Sequence, residues 1–229
     1  MYVLHIANKN YSSWSLRPWM LMRALDIPFT ERLHRFGAET FTGFSPSGKV
    51  PCLVDGATVV WDSLAIIEYL AELHSGVWPA DDKARAWARC AAAEMHSGFA
   101  NLRNQHGMNV GVRVTVASRS VELLADIARI ELVWNEGLRR FGGPFLTGSE
   151  FTAVDAFFAP VAYRCRSYGV AVKGAAAGYL ETMLAHPAMK EWEAAALAED
   201  FREAGHEAEL AAAGTVTADL RAVPPAPTL

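Results

Sequence analysis

SPSGKVPCLVDGATVVWDSLAIIEYL, residues 45–70, decides how this chain is read. Two short apolar runs, 51–54 and 58–61, flank Asp55-Gly56, a pair suited to the tight turn of a β-hairpin. Helix is expected directly afterwards. Asp62 or Ser63 supplies a cap, and Leu64, Ile67, Leu70 and Ala71 fall on one face of residues 64–74. Upstream, residues 2–6 read as an apolar strand, 14–26 as a helix carrying Trp14, Trp19, Met22, Ala24 and Leu25, and 29–33 as a second strand. With a cap supplied by residues 13–15, Pro18 is expected in or near the first turn of that helix, where a missing N–H costs least. The order is βαβ, a connecting segment, then ββα.

From Trp78-Pro79 onward Ala, Leu and Arg dominate, and helices are expected at 82–106, 118–141, 154–168 and 176–198. A boundary near 78–81 divides residues 1–78 from a helical domain at 82–213. Residues 214–229, with Pro224, Pro225 and Pro227, are expected to form an irregular tail.

Composition narrows the function classes. With 52% hydrophobic residues among 229, the chain has material for one large core or two small ones. A net charge of -4 without a run of Lys and Arg argues against nucleic acid. Glu68, Glu72 and Glu94 interrupt the richest apolar stretches before they reach the roughly 18 to 20 residues of a membrane span. No secretory signal is read at the N-terminus. Three widely spaced cysteines, Cys52, Cys90 and Cys165, fit neither a disulfide framework nor a zinc site, and the seven histidines show no triple-ligand spacing. A cytoplasmic protein with no metal, no membrane partner and no nucleic acid is the expectation.

Three pieces then occur in order: Ser12-Ser13-Trp14-Ser15-Leu16-Arg17 after the first strand, Ser45-Pro46-Ser47-Gly48-Lys49-Val50-Pro51-Cys52-Leu53, and Trp61-Asp62-Ser63-Leu64-Ala65-Ile66-Ile67-Glu68-Tyr69-Leu70. Together they resemble the cytosolic, serine-type glutathione S-transferase superfamily, in its zeta-like and tau-like members. The resemblance implies an α/β thioredoxin-like N-terminal domain plus an all-α C-terminal helical domain. It also implies that Pro51 is cis and that the backbone of Val50 pairs with the cysteinyl part of glutathione by strand addition. Asp62 and Ser63 stand where free N–H groups and a positive helix end receive an anion. By resemblance Ser63 binds the γ-glutamyl carboxylate, Asp62 pairs with the α-ammonium, and Lys49 meets a glutathione carboxylate. A plain helix cap at Asp62-Ser63 and a solvated loop lysine at Lys49 are the bland readings of the same residues.

The catalytic hydroxyl is expected from Ser12, aligned by the arginine five residues on, with Ser13 as its rival. A free thiol of pKa near 8.5 is only about 3% ionised at pH 7. Lowering it by two units takes about 2.7 kcal/mol; one hydroxyl donated to sulfur contributes about 1.5 to 3 and a helix N-terminus about 0.3 to 1. Residues 8–19 contain no cysteine, which disfavours thiol-disulfide exchange through the protein; Trp14 stands where zeta-like relatives carry Cys. Cys52 is expected to pack within its strand.

In the second half Gly148, Thr152 and Asp155 resemble a family segment whose capping-box pattern is structural. Tyr11, Trp14, Phe99 and Arg103 are the candidates for the second-substrate pocket, and His96 reads as an ordinary helix histidine. The function implied is attack of the glutathione thiolate on a small hydrophobic electrophile. A maleylacetoacetate-type isomerase, a peroxidase or ether-cleaving use, and a non-catalytic glutathione-binding protein are the alternatives. A homodimer touching through residues 66–72 and the first long C-terminal helices is implied by the resemblance alone.

Overall fold

The computed structural model describes residues 1–38 and 40–223. The first half holds β1 (Tyr2–Ala7), α1 (Ser13–Ala24), β2 (Phe29–His34), β3 (Cys52–Asp55), β4 (Thr58–Val60) and α2 (Ser63–Leu73). The strands form one mixed sheet in the order β2-β1-β3-β4, with β1 parallel to β2 and the remaining pairs antiparallel. The βαβ-ββα order is as expected. Asp55 pairs with Thr58 across the turn, and Gly56 takes the positive φ of 58° that the turn requires.

The helix α1 starts at Ser13 with Ser12 as its cap residue, so Pro18 is its sixth residue rather than part of its first turn. Lacking an N–H, Pro18 cannot donate to the Trp14 carbonyl one turn back. Burial compensates, because Leu16, Trp19, Met20, Leu21 and Met22 are all withdrawn from water.

The second half contains α3 (Asp82–Ser97), α4 (Ala100–Gln105), β5 (Val112–Thr115), α5 (Val121–Phe141), α6 (Ala153–Ser167), α7 (Ala175–Ala185), α8 (Pro187–Ala198), α9 (Ala204–Ala213) and β6 (Thr215–Asp219). α6 is the central helix, buried along almost its whole length and packed on α1. Its start is the expected capping box: Asp155 Oδ2 accepts from the Thr152 N–H at 3.0 Å. Asp155 Oδ1 accepts from Leu146 N–H and from the Tyr179 hydroxyl, which ties α6 to the preceding loop and to α7.

Four features of the second half also depart from expectation. The helix expected over 82–106 breaks at Gly98-Phe99, where a Cβ on Gly98 would come within 2.7 Å of the Glu94 carbonyl and Phe99 takes a left-handed φ of 57°. The helix expected over 176–198 divides at His186, held extended by the proline that follows and opens α8. Helix α9 has no counterpart in the sequence reading. Residues 215–219 are not irregular but form β6, which pairs with β5 and adds a two-stranded sheet to the otherwise helical second half. Pro224, Pro225 and Pro227 lie outside the described residues.

Candidate functional site

A cleft opens where the end of β1, the N-terminus of α1, the loop before β3 and the N-terminus of α2 face α3, α4, α6 and α9. It consists of two cavities, of about 360 and 580 Å³, which share Trp14, Lys49 and Val50.

The smaller cavity is built on the strand-to-helix passage predicted from sequence, and Pro51, Asp62 and Ser63 line it. The Val50–Pro51 peptide is cis. Asp62 caps α2, its Oδ1 accepting from Leu64 N–H at 3.0 Å, while its Oδ2 lies 3.4 Å from His96 Nε2 on α3. Burial lowers the His96 pKa, and Arg17 and Arg103 act in the same direction against the opposing pull of Asp62. Ser63 is wholly buried and its hydroxyl has no hydrogen-bond partner. An orphaned hydroxyl beside the first free N–H groups of a helix makes with them a set of donors for an anion.

The larger cavity is lined by Tyr11, Ser12, Ser13, Trp14 and Arg103, together with residues from α6 and α9. Ser12 donates to Ser15 Oγ at 2.7 Å, and Ser15 Oγ also accepts from Ala7 N–H at 3.3 Å. Ser13, the first residue of α1, keeps its hydroxyl free of any protein hydrogen bond among the described residues. Tyr11 is committed elsewhere. Its hydroxyl donates to Glu207 at 2.8 Å and accepts from Arg221 at 3.2 Å, and its ring stacks on His206 at 4.7 Å. Burial, then the bond to Glu207, raises its pKa, so Tyr11 serves as wall and not as acid.

Cations gather on one side. The Trp14 ring carries the guanidinium of Arg17 at 4.0 Å and that of Arg103 at 5.3 Å from its centroid. Arg17 is completely buried, and none of its three guanidinium nitrogens has a partner. Burial drives its pKa well below the usual arginine value, Arg164 and Arg103 push the same way, and Asp62 partly offsets them. Arg164 is also buried; its Nε donates to the His106 carbonyl at 2.8 Å while Nη1 has no partner. Its pKa is brought down to about 10, chiefly by burial.

Of the residues expected from sequence, Ser12, Ser13, Tyr11, Trp14, Lys49, Val50, Pro51, Asp62, Ser63 and Arg103 all line the cleft. Phe99 does not. The break in the helix turns it into the hydrophobic core, away from the cavity wall. Cys52 packs in β3 as expected, donating to the Phe44 carbonyl at 3.5 Å, with its pKa raised by burial. Sequence reading missed Phe36, Phe41, Arg164, His206 and Glu209. A visible signal existed for Arg164, which interrupts the apolar run of α6; His206 and Glu209 belong to the unforeseen α9.

Residues 11–73 match the family model described as Glutathione S-transferase, N-terminal domain, and residues 119–195 match Glutathione S-transferase, C-terminal domain. The chain is 25% identical over 178 residues to a probable maleylacetoacetate isomerase of Caenorhabditis elegans, covering 73% of this chain and 80% of that one. It is 32% identical over 123 residues to a zeta class glutathione S-transferase of Euphorbia esula, 52% and 55% of the two chains. Among solved structures, a diazinon-metabolizing glutathione S-transferase of the silkworm Bombyx mori superposes with a TM-score of 0.67 at 18% identity, over 86% of this chain and 97% of that one. A glutathione transferase homolog from Burkholderia, with bound glutathione, superposes with a TM-score of 0.63 at 19% identity, over 85% and 97%.

Proposed function

Because the chain belongs to the glutathione S-transferase superfamily, we propose that it binds glutathione across the two cavities and activates its thiol for attack on a second substrate. The observation that carries this reading is the orphaned, buried hydroxyl of Ser63 at the start of α2, in a cavity continuous with Ser12 and Ser13. The γ-glutamyl carboxylate gives that hydroxyl its missing partner, and Asp62 receives the α-ammonium. The Val50 backbone makes no hydrogen bond to the protein among the described residues and is available to the cysteinyl unit. Lys49, exposed on the rim, meets the glycyl carboxylate.

Ser12 donates to the sulfur in this reading. A thiolate is a stronger acceptor than a neutral hydroxyl, so Ser12 exchanges Ser15 for sulfur when glutathione binds. The free hydroxyl of Ser13 and the N-terminus of α1 add to the same field, as do the guanidiniums of Arg17, Arg103 and Arg164, none of which has a carboxylate partner among the described residues. In conjugation the sulfur forms a bond to the electrophilic carbon, the leaving group departs with the electron pair of its bond, and the thiol proton goes to solvent.

A second reading, glutathione-dependent isomerisation of the maleylacetoacetate type, is favoured by the named nematode relative. Trp14 in place of the usual Cys argues for conjugation. A domain boundary at 78–81, a homodimer and a cytoplasmic location belong to the same proposal. Calorimetric titration with glutathione tests the binding step: the wild type binds in the micromolar to low millimolar range and Asp62→Ala weakens it severalfold. Absence of binding at millimolar glutathione overturns the reading.

A further inference from the structure

We infer that the second substrate is an anionic electrophile whose carboxylate is received by Arg103 and Arg164. This deepens the transferase reading and rests on it for the placement of glutathione. The larger cavity is lined by three basic side chains, Lys49, Arg103 and Arg164, and by one carboxylate, Glu209. None of the three cations makes an ion pair among the described residues. Lys49 and Ser63 answer the two carboxylates of glutathione, and both lie on the N-terminal side of the cleft. Arg103 and Arg164 stand across from them on α4 and α6, outside the smaller cavity.

Burial of Arg164 and half-burial of Arg103 distinguish these two arginines from ordinary surface cations. Arg164 is only 3% exposed, yet Nη1 has no partner, and its single protein hydrogen bond runs from Nε to a backbone carbonyl. Arg103 donates to the His96 carbonyl at 3.0 Å and lies over Trp14, which fixes its planar fork without neutralising it. A guanidinium withdrawn from water without an anion is costly, and a fully buried Arg17 nearby increases that cost. A carboxylate in the cavity offsets it through charge-assisted hydrogen bonds, whereas a neutral apolar ligand leaves Arg164 Nη1 without a partner and both guanidiniums without an anion.

The test compares 4-chloro-3,5-dinitrobenzoate with its methyl ester as electrophiles for glutathione. In both, sulfur bonds to the ring carbon, chloride leaves with the C–Cl electron pair, and the thiol proton goes to buffer. After division by the uncatalysed rates, kcat/KM is expected to favour the acid at least tenfold. Arg103→Gln and Arg164→Gln are each expected to lower the acid-to-ester ratio about tenfold or more, and Arg164→Lys to restore part of it. Arg103 is half-buried on a short helix, so its variant keeps the test open where Arg164→Gln fails to fold.

Calorimetry with unreactive 3,5-dinitrobenzoate against 3,5-dinitrobenzamide, without glutathione, separates the two claims. Acid binding at least tenfold tighter than the amide, lost in Arg103→Gln, supports the anion subsite even where glutathione does not bind and the transferase reading falls. Glutathione binding with no preference for the acid, or a preference unchanged by both arginine substitutions, overturns the inference and leaves the transferase reading intact.

Discussion

Ser63 and Arg17 are polar side chains that the fold buries without satisfying. In an interior where an unmade hydrogen bond costs about 1 to 3 kcal/mol, such residues have a ligand to receive or a field to supply. For Ser63 the two effects have opposite signs. Ser63→Ala removes an orphaned oxygen, so the thermal midpoint of the free protein stays or rises, while glutathione affinity falls about tenfold; a differential scan beside a calorimetric titration reads both. Arg17→Met keeps the volume against Phe157 and removes a buried, unpartnered charge. Stability is expected to hold or increase. The pKa of bound glutathione is expected to rise by several tenths of a unit or more, and an unchanged thiol pKa would show that Arg17 contributes no field at the sulfur. At this scale the sequence was informative wherever chemistry and local structure coincide, as at Asp62-Ser63, where a strand passes into a helix. Arg164 escaped notice because periodicity marks its position as core and says nothing of a cavity beside it.

Helix α4 and the turn after it position Arg103 and carry a titrating group. His106 is buried, stacks on Tyr168 at 4.4 Å, and neither of its ring nitrogens has a partner. Burial first, then Arg119 and Arg164, brings its pKa down to about 4 from an ordinary value of 6.5. Between those two pH values the unfolded chain holds a proton that the folded chain does not, so this residue takes away stability as pH falls from 6.5 towards 4. His106→Phe keeps the stacking and removes the linkage. Its midpoint at pH 5 should exceed that of the wild type by a few degrees, with a smaller difference at pH 7.5; equal acid sensitivity in the two proteins contradicts the assignment. Elements were legible where propensity and pattern agreed, as in the Asp55-Gly56 hairpin and the capping box of α6. They were misread where a single backbone event overrides a continuous pattern: Gly98 and Phe99 end a helix that Ala, Leu and Arg would have prolonged, and Pro187 divides another.

Across the whole molecule, α9 reaches back to the cleft, where His206 and Glu209 line the larger cavity. Arg221, just beyond β6, donates to Glu207 at 2.6 and 3.0 Å, to Asp219 at 2.7 and 2.8 Å, and to Tyr11 beside Ser12. This junction was invisible in the sequence because its members are separated by up to 210 positions. A short strand such as β6 is stable only with β5 beside it. Arg221→Met leaves two partly exposed carboxylates unpaired and is expected to cost about 1 to 3 kcal/mol, reduced from the value for a fully buried pair by solvent. It should also raise KM for the electrophile severalfold while glutathione affinity stays within about twofold; equal loss of both would make the segment part of the glutathione subsite instead.

The central claim is that the N-terminus of α1 lowers the pKa of a bound thiol, and ultraviolet absorbance of the glutathione thiolate against pH measures it directly. The account predicts a bound pKa roughly two units below the free value of about 8.5, raised by about one unit or more in Ser12→Ala with affinity little changed. A thiol that titrates at its free value in the wild-type complex contradicts the account, and a rise in Ser13→Ala but not in Ser12→Ala transfers the role to the neighbouring, uncommitted hydroxyl.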